Sequence, residues 1–138
     1  AGVRRALRPR GRFVAEFGGD GNVQAIREAL HAELARRDID APRCDPWTFP
    51  TDGVFGALLA DVGFVIDAIG LIPRPTPLGG HLADWLDVFA GAFLAMVPAP
   101  ERVPFKDAVA ARAAPALRAA DGVWSVDYVR LRLVARLT

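Results

Sequence analysis

The sequence is nearly without sulfur: of 138 residues, one is cysteine and one is methionine. A single cysteine, Cys44, excludes a disulfide within the chain, and a reducing cytoplasm is the default expectation. A lone cysteine is also a candidate nucleophile. Its neighbours Arg43 and Asp45 cancel in charge, so a spectator thiol is expected. Charge of one sign is missing as well. Seventeen basic against sixteen acidic residues leave a formal charge of +1, which gives no electrostatic case for a nucleic acid or an anionic membrane as partner. Lys106 is the only lysine, and no G-x-x-x-x-G-K-[ST] phosphate loop exists. Long apolar runs are absent; the longest, around residues 85–97, is interrupted by Asp87 and too short to span a bilayer. The opening AGVRRALRPRG is basic and amphipathic, with no apolar segment of the signal-peptide kind. The two histidines, His31 and His81, have no partners at metal-ligand spacing, so no metal site is expected. His31, beside Leu30 on a helix, is expected at the surface.

What is present suits one folded domain over residues 1–138. Hydrophobic residues make up 52% of the chain, enough for a buried core. Val3, Ala6 and Leu7 share a helical face that Arg8-Pro9-Arg10-Gly11 terminates. The chain begins at Ala1 inside that helical pattern, which suggests a piece of something longer. RFVAEF, residues 12–17, alternates like a strand, and Gly18 to Gly21 form a turn. Asp20 or Asn22 is placed to cap a following helix that runs to about Arg37. Its apolar stripe is Val23, Ile26, Leu30 and Leu34, and its wet face holds Arg27, Glu28, Glu33, Arg36 and Arg37. DIDAPRCDPWTFP, 38–50, reads as loop. Thr51 or Asp52 starts a short helix with Phe55, Leu58, Leu59 and Val62 inward, closed by Gly63.

The pattern then predicts a strand over 64–72, a stiff loop over 73–80, and a helix over 82–97 that is apolar on most sides. A further helix runs from about Pro104 to Ala119, with Pro115 expected to kink or shorten it. VDYVRLRLVARL, 126–137, alternates strictly and is the clearest strand. The order of elements is that of a layered α/β architecture.

GGDG after a strand raises the question of a nucleotide cradle. The dinucleotide fingerprint G-x-G-x-x-G requires a third glycine, and Gln24 stands there. Asp38 and Asp40 precede a proline-rich loop rather than ending a second strand. A plain strand-to-helix turn is the expected reading, and a nucleotide-binding half-domain ranks last.

RALRPRGRFVAEFGGDGN resembles a segment of class I S-adenosylmethionine-dependent methyltransferases, close to the trans-aconitate methyltransferase-like group. There a helix ending in LRPGG leads to the fifth strand, and EFGGxGN follows; Arg10 stands where that family usually has glycine. DPWTFPT, ADVGF, PRPTPL, LADWLDVFAGAFL and DGVWSVDYVRLRLVARL follow in the family's order, so the likeness covers essentially the whole chain. It implies the C-terminal half of a Rossmann-like sheet, order 5-7-6, with the last strand antiparallel and central and helices flanking it. The family's E/D-x-G-x-G cofactor loop has no counterpart here, so the N-terminal cofactor-binding strands would be missing. RFVAEF would then be an unpaired edge open to another copy or to the missing half.

The resemblance implies methyl transfer from S-adenosylmethionine to a small molecule, a carboxylate being what the nearest group suggests. Candidate site residues follow from it and from their place at a strand's C-terminal end. Phe17, Gly18 and Gly19 are cofactor candidates. Asn22, Trp47, Phe49, Arg74, Trp85 and Phe89 are substrate candidates, Arg74 because a guanidinium fork matches a carboxylate. Each has a structural alternative: the aromatics as core packing, Arg74 as a solvated cation, Glu16 as an arginine's partner. His81, in a Gly-Gly-His loop, is the one general-base candidate. The competing function is a non-catalytic α/β interaction module, derived from a truncated methyltransferase, that dimerises through the apolar helix and the open edge.

Overall fold

The computed structural model describes residues 2–138. Its elements are α1 (Gly2–Ala6), β1 (Arg12–Gly18), α2 (Gln24–Ala35), α3 (Ala41–Cys44), α4 (Asp52–Asp61), β2 (Phe64–Pro77), α5 (Leu82–Phe89), α6 (Gly91–Ala95), a 3-10 turn (Ala99–Glu101), α7 (Arg102–Leu117) and β3 (Ser125–Leu137). The three strands form one sheet in the order β1-β3-β2. β1 pairs antiparallel to β3, from Arg12 opposite Arg136 to Gly18 opposite Arg130. On the other side Arg136 meets Asp67 and Thr138 N donates to Gly63 O, so β2 also runs against β3. The expected α/β class and the central antiparallel last strand are both present. None of the helices among the described residues is long and apolar enough to cross a membrane.

The chain divides into two compact units. One comprises Ala1–Asn22, Thr48–Arg74 and Tyr128–Thr138; the other comprises Val23–Trp47 and Pro75–Asp127. The first unit is built on alternation. Leu131, Leu133 and Ala135 of β3 are buried, while Arg132 and Arg136 at alternate positions are exposed. Phe13, Ala15 and Phe17 of β1 join that buried face, as do Leu59 and Phe55 of α4 and Phe64 of β2. Thr51 caps α4 by accepting from Val54 N at 3.1 Å, and Gly63 follows it with φ +85°, where a side chain would be strained. Leu58, expected inward, is 56% exposed. It lies at the margin of the stripe that Phe55, Leu59 and Val62 centre on.

The second unit is mostly helical, and here the expectations need several corrections. Neither Asp20 nor Asn22 caps α2. Val23 takes the N-cap place in a left-handed conformation, φ 50°, without a side-chain cap of its own. The cap comes from Asp127, whose Oδ2 accepts from Ala25 N at 2.8 Å and whose carbonyl accepts from Val23 N at 3.0 Å. A partner 102 residues away cannot be read from local sequence. The loop at 38–50 contains the short helix α3. Glu33, expected on the wet face of α2, is 5% exposed because α7 brings Arg112 onto it.

The expected 82–97 helix is two. It breaks at Ala90 (φ −102°, ψ 23°), just before Gly91, whose helix propensity is poor. Val88, Phe89 and Met96 are 71%, 53% and 50% exposed, so the apolar character does not mean burial on every side. α7 runs through Pro115 and stops at Leu117 rather than near Ala119. Residues 73–77, expected as loop, continue β2. Pro73, Pro75 and Pro77 fall on alternate positions of an edge strand. Their nitrogens can all point away from β3, where a missing N–H costs no ladder bond.

Arg10, where the resemblance places glycine, has φ 61°. A side chain in left-handed backbone is strained by about 1–2 kcal/mol, and glycine's greater freedom when unfolded offsets part of that. Arg10→Gly should therefore raise stability by about 0.5–1 kcal/mol, read as a higher urea midpoint with an unchanged slope.

Candidate functional site

The sequence-derived candidates fall into the two units. In the first are Phe17, Gly18, Gly19, Asn22, Phe49 and Arg74 with Glu16; in the second are Trp47, His81, Trp85 and Phe89.

In the first unit the glycine turn is fastened to β3. Gly19 N donates to Val129 O at 3.0 Å, and Val129 N donates back to Asn22 Oδ1 at 2.9 Å. Asp20 N donates to Pro50 O at 2.9 Å, which ties the turn to the proline-rich loop. The glycines are needed for close packing within the protein. A Cβ on Gly18 would lie 2.7 Å from the Phe49 ring and 2.8 Å from Asn22 Nδ2, and one on Gly19 would strike Leu71 and Leu131. Phe17 points into the core, edge-on to Phe55 with ring centroids 4.8 Å apart. Phe49 and Asn22 thus fill the space beside Gly18, and Asn22 is 5% exposed.

Arg74 meets a carboxylate that the chain itself supplies. Its Nη1 donates to Glu16 Oε1 at 3.1 Å, while Arg132 holds Oε2 at 2.8 Å and Arg130 Nε lies 3.5 Å from Oε1. The Arg132 hydrogen bond, with the other guanidiniums, keeps the Glu16 carboxyl below its usual range. Arg74 remains 63% exposed along its side chain.

In the second unit three candidates come together. The Trp47 ring lies 5.0 Å from Phe93 and 6.1 Å from Trp85, and Trp85 lies 4.8 Å from Phe89. His81 is elsewhere. Its Nδ1 accepts from Ala83 N at 3.1 Å, and Asp84 Oδ2 accepts from His81 N at 3.2 Å. This capping box starts α5. The His81 ring also meets Trp124 at 5.2 Å, so a general-base role would fall to Nε2.

Asp45, in the sequence only a charge beside Cys44, is hydrogen-bonded to the Trp47 backbone. Its side chain is 3% exposed. Oδ2 accepts from Arg27 Nε at 2.6 Å and lies 2.8 Å from His31 Nε2; Oδ1 accepts from Trp47 N at 2.9 Å. Arg27 Nη2 reaches on to Trp47 O at 3.2 Å. His31, expected at the surface, is therefore half-buried and fastened to the loop, 6.0 Å from the Phe93 ring. Two signals were available in the sequence. Arg27 and His31 are four apart on one helical face, and an aspartate two residues before another backbone N–H forms an Asx turn. The clamp fixes the loop's backbone against α2 and so orients the indole of Trp47.

Cys44 agrees with a spectator role. Its Sγ donates to Ala41 O at 3.2 Å, and burial, with Asp45 and Asp40 nearby, pushes the thiol above its usual pKa. Among the described residues no three His, Cys, Asp or Glu side chains are grouped to hold a metal ion.

No family model matches the chain. It is 34% identical over 143 aligned residues to an uncharacterized methyltransferase of Schizosaccharomyces pombe, covering 97% of this chain and 52% of that protein. The chain thus spans about half the length of the curated relative it matches. The similarity supports a methyltransferase relationship.

Asp45→Asn should cost about 1–3 kcal/mol of stability, since it removes the charged acceptor that Arg27 and His31 share. Burial pushes the Asp45 carboxyl up, but the Trp47 N–H, Arg27 and His31 outweigh it and hold the pKa below 3.8. The clamp's contribution is therefore full above the unfolded value of 3.8 and is lost as pH falls through the lower folded one. Urea midpoints from pH 7 to pH 2 check this: the gap between wild type and Asp45→Asn should close on the acid side of 3.8.

Proposed function

We propose that the chain is the C-terminal part of a class I S-adenosylmethionine-dependent methyltransferase of the trans-aconitate methyltransferase-like group. The whole enzyme would methylate a small molecule, with a carboxylate as acceptor. The observation that carries this reading is the sheet. Its last strand lies antiparallel between two others, β1-β3-β2, as the resemblance expects of strands 5-7-6. The 34% identity along 97% of the chain supports it too.

The cofactor's main cradle does not fit onto these residues. No E/D-x-G-x-G exists in the sequence, and the space around Gly18 and Gly19 is filled by Phe49, Asn22, Leu71 and Leu131. Phe17, Gly18 and Gly19 are left, on this reading, as the rim of a site whose floor lies in the other half. S-adenosylmethionine brings an already activated sulfonium methyl, so what remains for the protein is alignment and exclusion of water. Within the second unit, Trp47, Trp85 and Phe89 are the proposed aromatic contacts for an acceptor, with Asp45 holding the first of them. An ionised carboxylate acceptor carries no proton to remove, which is compatible with His81 serving as a cap.

A second reading is favoured by two observations. β1 has no partner strand on its outer side among the described residues, and Val14 on it is 60% exposed. Val88, Phe89 and Met96 form exposed apolar surface. A non-catalytic module that self-associates through these would use them directly.

The test is made on the gene's whole natural product. Calorimetric titration should show S-adenosylmethionine binding, and a tritiated methyl group should appear in small organic acids; no binding by the whole product would sink the methyltransferase reading. The 138-residue chain alone should self-associate in sizing with light scattering, because its sheet edge is open. A monodisperse monomer at high concentration would remove the interaction-module reading.

A further inference from the structure

The second unit contains a cleft of about 610 Å³ between α2 and α7, lined by Glu33, Arg36, Arg37, Ala108, Ala111 and Arg112. That is some twenty times the roughly 30 Å³ of one liquid water. Ala108 and Ala111 carry only methyl groups, which leaves the space open. Every polar side chain on the lining is a guanidinium except Glu33, and Glu33 faces the guanidiniums.

Glu33 sets the geometry. It is 5% exposed, and a carboxylate so far from water persists only with charged partners. Arg112 donates to Oε1 through Nε at 3.0 Å and Nη2 at 2.7 Å, and Arg37 Nη1 donates to Oε2 at 3.1 Å and to the Glu33 carbonyl at 2.9 Å. Each of these arginines is pinned along one edge, Arg37 further by its cation stacked 5.0 Å over the Phe105 ring. Their remaining N–H groups are therefore presented to the cleft with much of the ordering cost already met by the fold. Arg36 is exposed, and its guanidinium makes no hydrogen bond or ion pair among the described residues. Glu101, 57% exposed, lies 3.9 Å from Arg37 Nε at the rim. Three cations thus stand against two carboxylates, which leaves one positive charge in excess.

We propose that this cleft binds a small phosphoryl oxyanion, either free phosphate or the phosphate of a small metabolite. The guanidinium fork matches two oxygens of such a group at once, and the excess charge favours an anion. The site stands apart from the proposed methyl transfer and does not depend on it.

The experiment is a titration of the full chain with inorganic phosphate at 0.1 M sodium chloride, following the arginine Nε–H resonances by NMR. A second arm uses glycerol 3-phosphate. Arg36→Gln is the variant, since that side chain makes no hydrogen bond or ion pair among the described residues, and Arg132→Gln on the sheet is the control. The proposal expects a saturable shift of the Arg37 and Arg112 signals. It expects binding weakened about two- to fivefold by Arg36→Gln and unchanged by Arg132→Gln. Tighter binding of glycerol 3-phosphate would assign the cleft to a phosphorylated small molecule; equal binding would assign it to free phosphate. No saturable shift, a shift reproduced by chloride at matched ionic strength, or equal affinity of wild type and Arg36→Gln would overturn it.

Discussion

Both edge strands and the glycine turn depend on hydrogen bonds to β3, the last strand of the chain. β1 and β2 each pair with it and not with one another. The stretch from Trp124 to Val129 also carries several long-range hydrogen bonds. Val129 fastens the glycine turn through Gly19 and Asn22, Asp127 closes the N-terminus of α2, and Trp124 O receives Leu78 N at the end of β2. These contacts join residues about 50 to 110 apart in sequence, so the loop-closure entropy is met late and together. Asp127 has a cost attached. Burial raises its carboxyl above the usual range even though Ala25 N donates to it, and Oδ1 is buried without a partner. The same residue holds Val23, a β-branched side chain, in left-handed backbone that would otherwise be unfavourable.

What the sequence made legible was what local periodicity determines. The alternation of 126–137 placed β3 and its buried face, and RFVAEF placed β1. Thr51 and Gly63 bounded α4. What it hid were contacts between distant residues. Asp127 as the cap of α2, Arg112 as the partner of Glu33, and Arg27 with His31 around Asp45 depend on which helices the fold brings together. The prolines of 73–77 misled because a proline-rich run is loop in a central strand and permissible at an edge. Only the strand order decides which applies.

The candidate residues divide in the same way. Gly18 and Gly19 stand out in the sequence as cofactor candidates at a strand's end, but the close neighbours that require glycine there are the protein's own side chains. Arg74 was chosen for its affinity for carboxylates, and it has one in Glu16. The aromatic group was legible as residue types without its support. Trp47 sits on a loop, and a loop aromatic is a poor wall unless its backbone is fixed. Asp45 fixes it, by accepting from the indole-bearing residue's own N–H and from two side chains of a helix.

A net charge of +1 conceals how the charges are used. Glu33 and Asp45 are carboxylates withdrawn from water; Arg37 and Arg112 meet the first, and Arg27 with the His31 ring meets the second, so three arginines are committed to two buried negatives. α2 carries Arg27 and His31 to one of these centres and Glu33 to the other, where Arg37 joins from the turn that follows the helix. It is thereby held against the Trp47 loop and against α7 by charge-assisted bonds as well as by its apolar stripe. Breaking either centre would leave a buried charge unpaired, which costs more than the pair contributes. The helix is consequently fixed in rotation, and with it the start of the turn that begins at Arg36. A balanced composition can therefore leave local imbalances, because the fold decides which charges cancel.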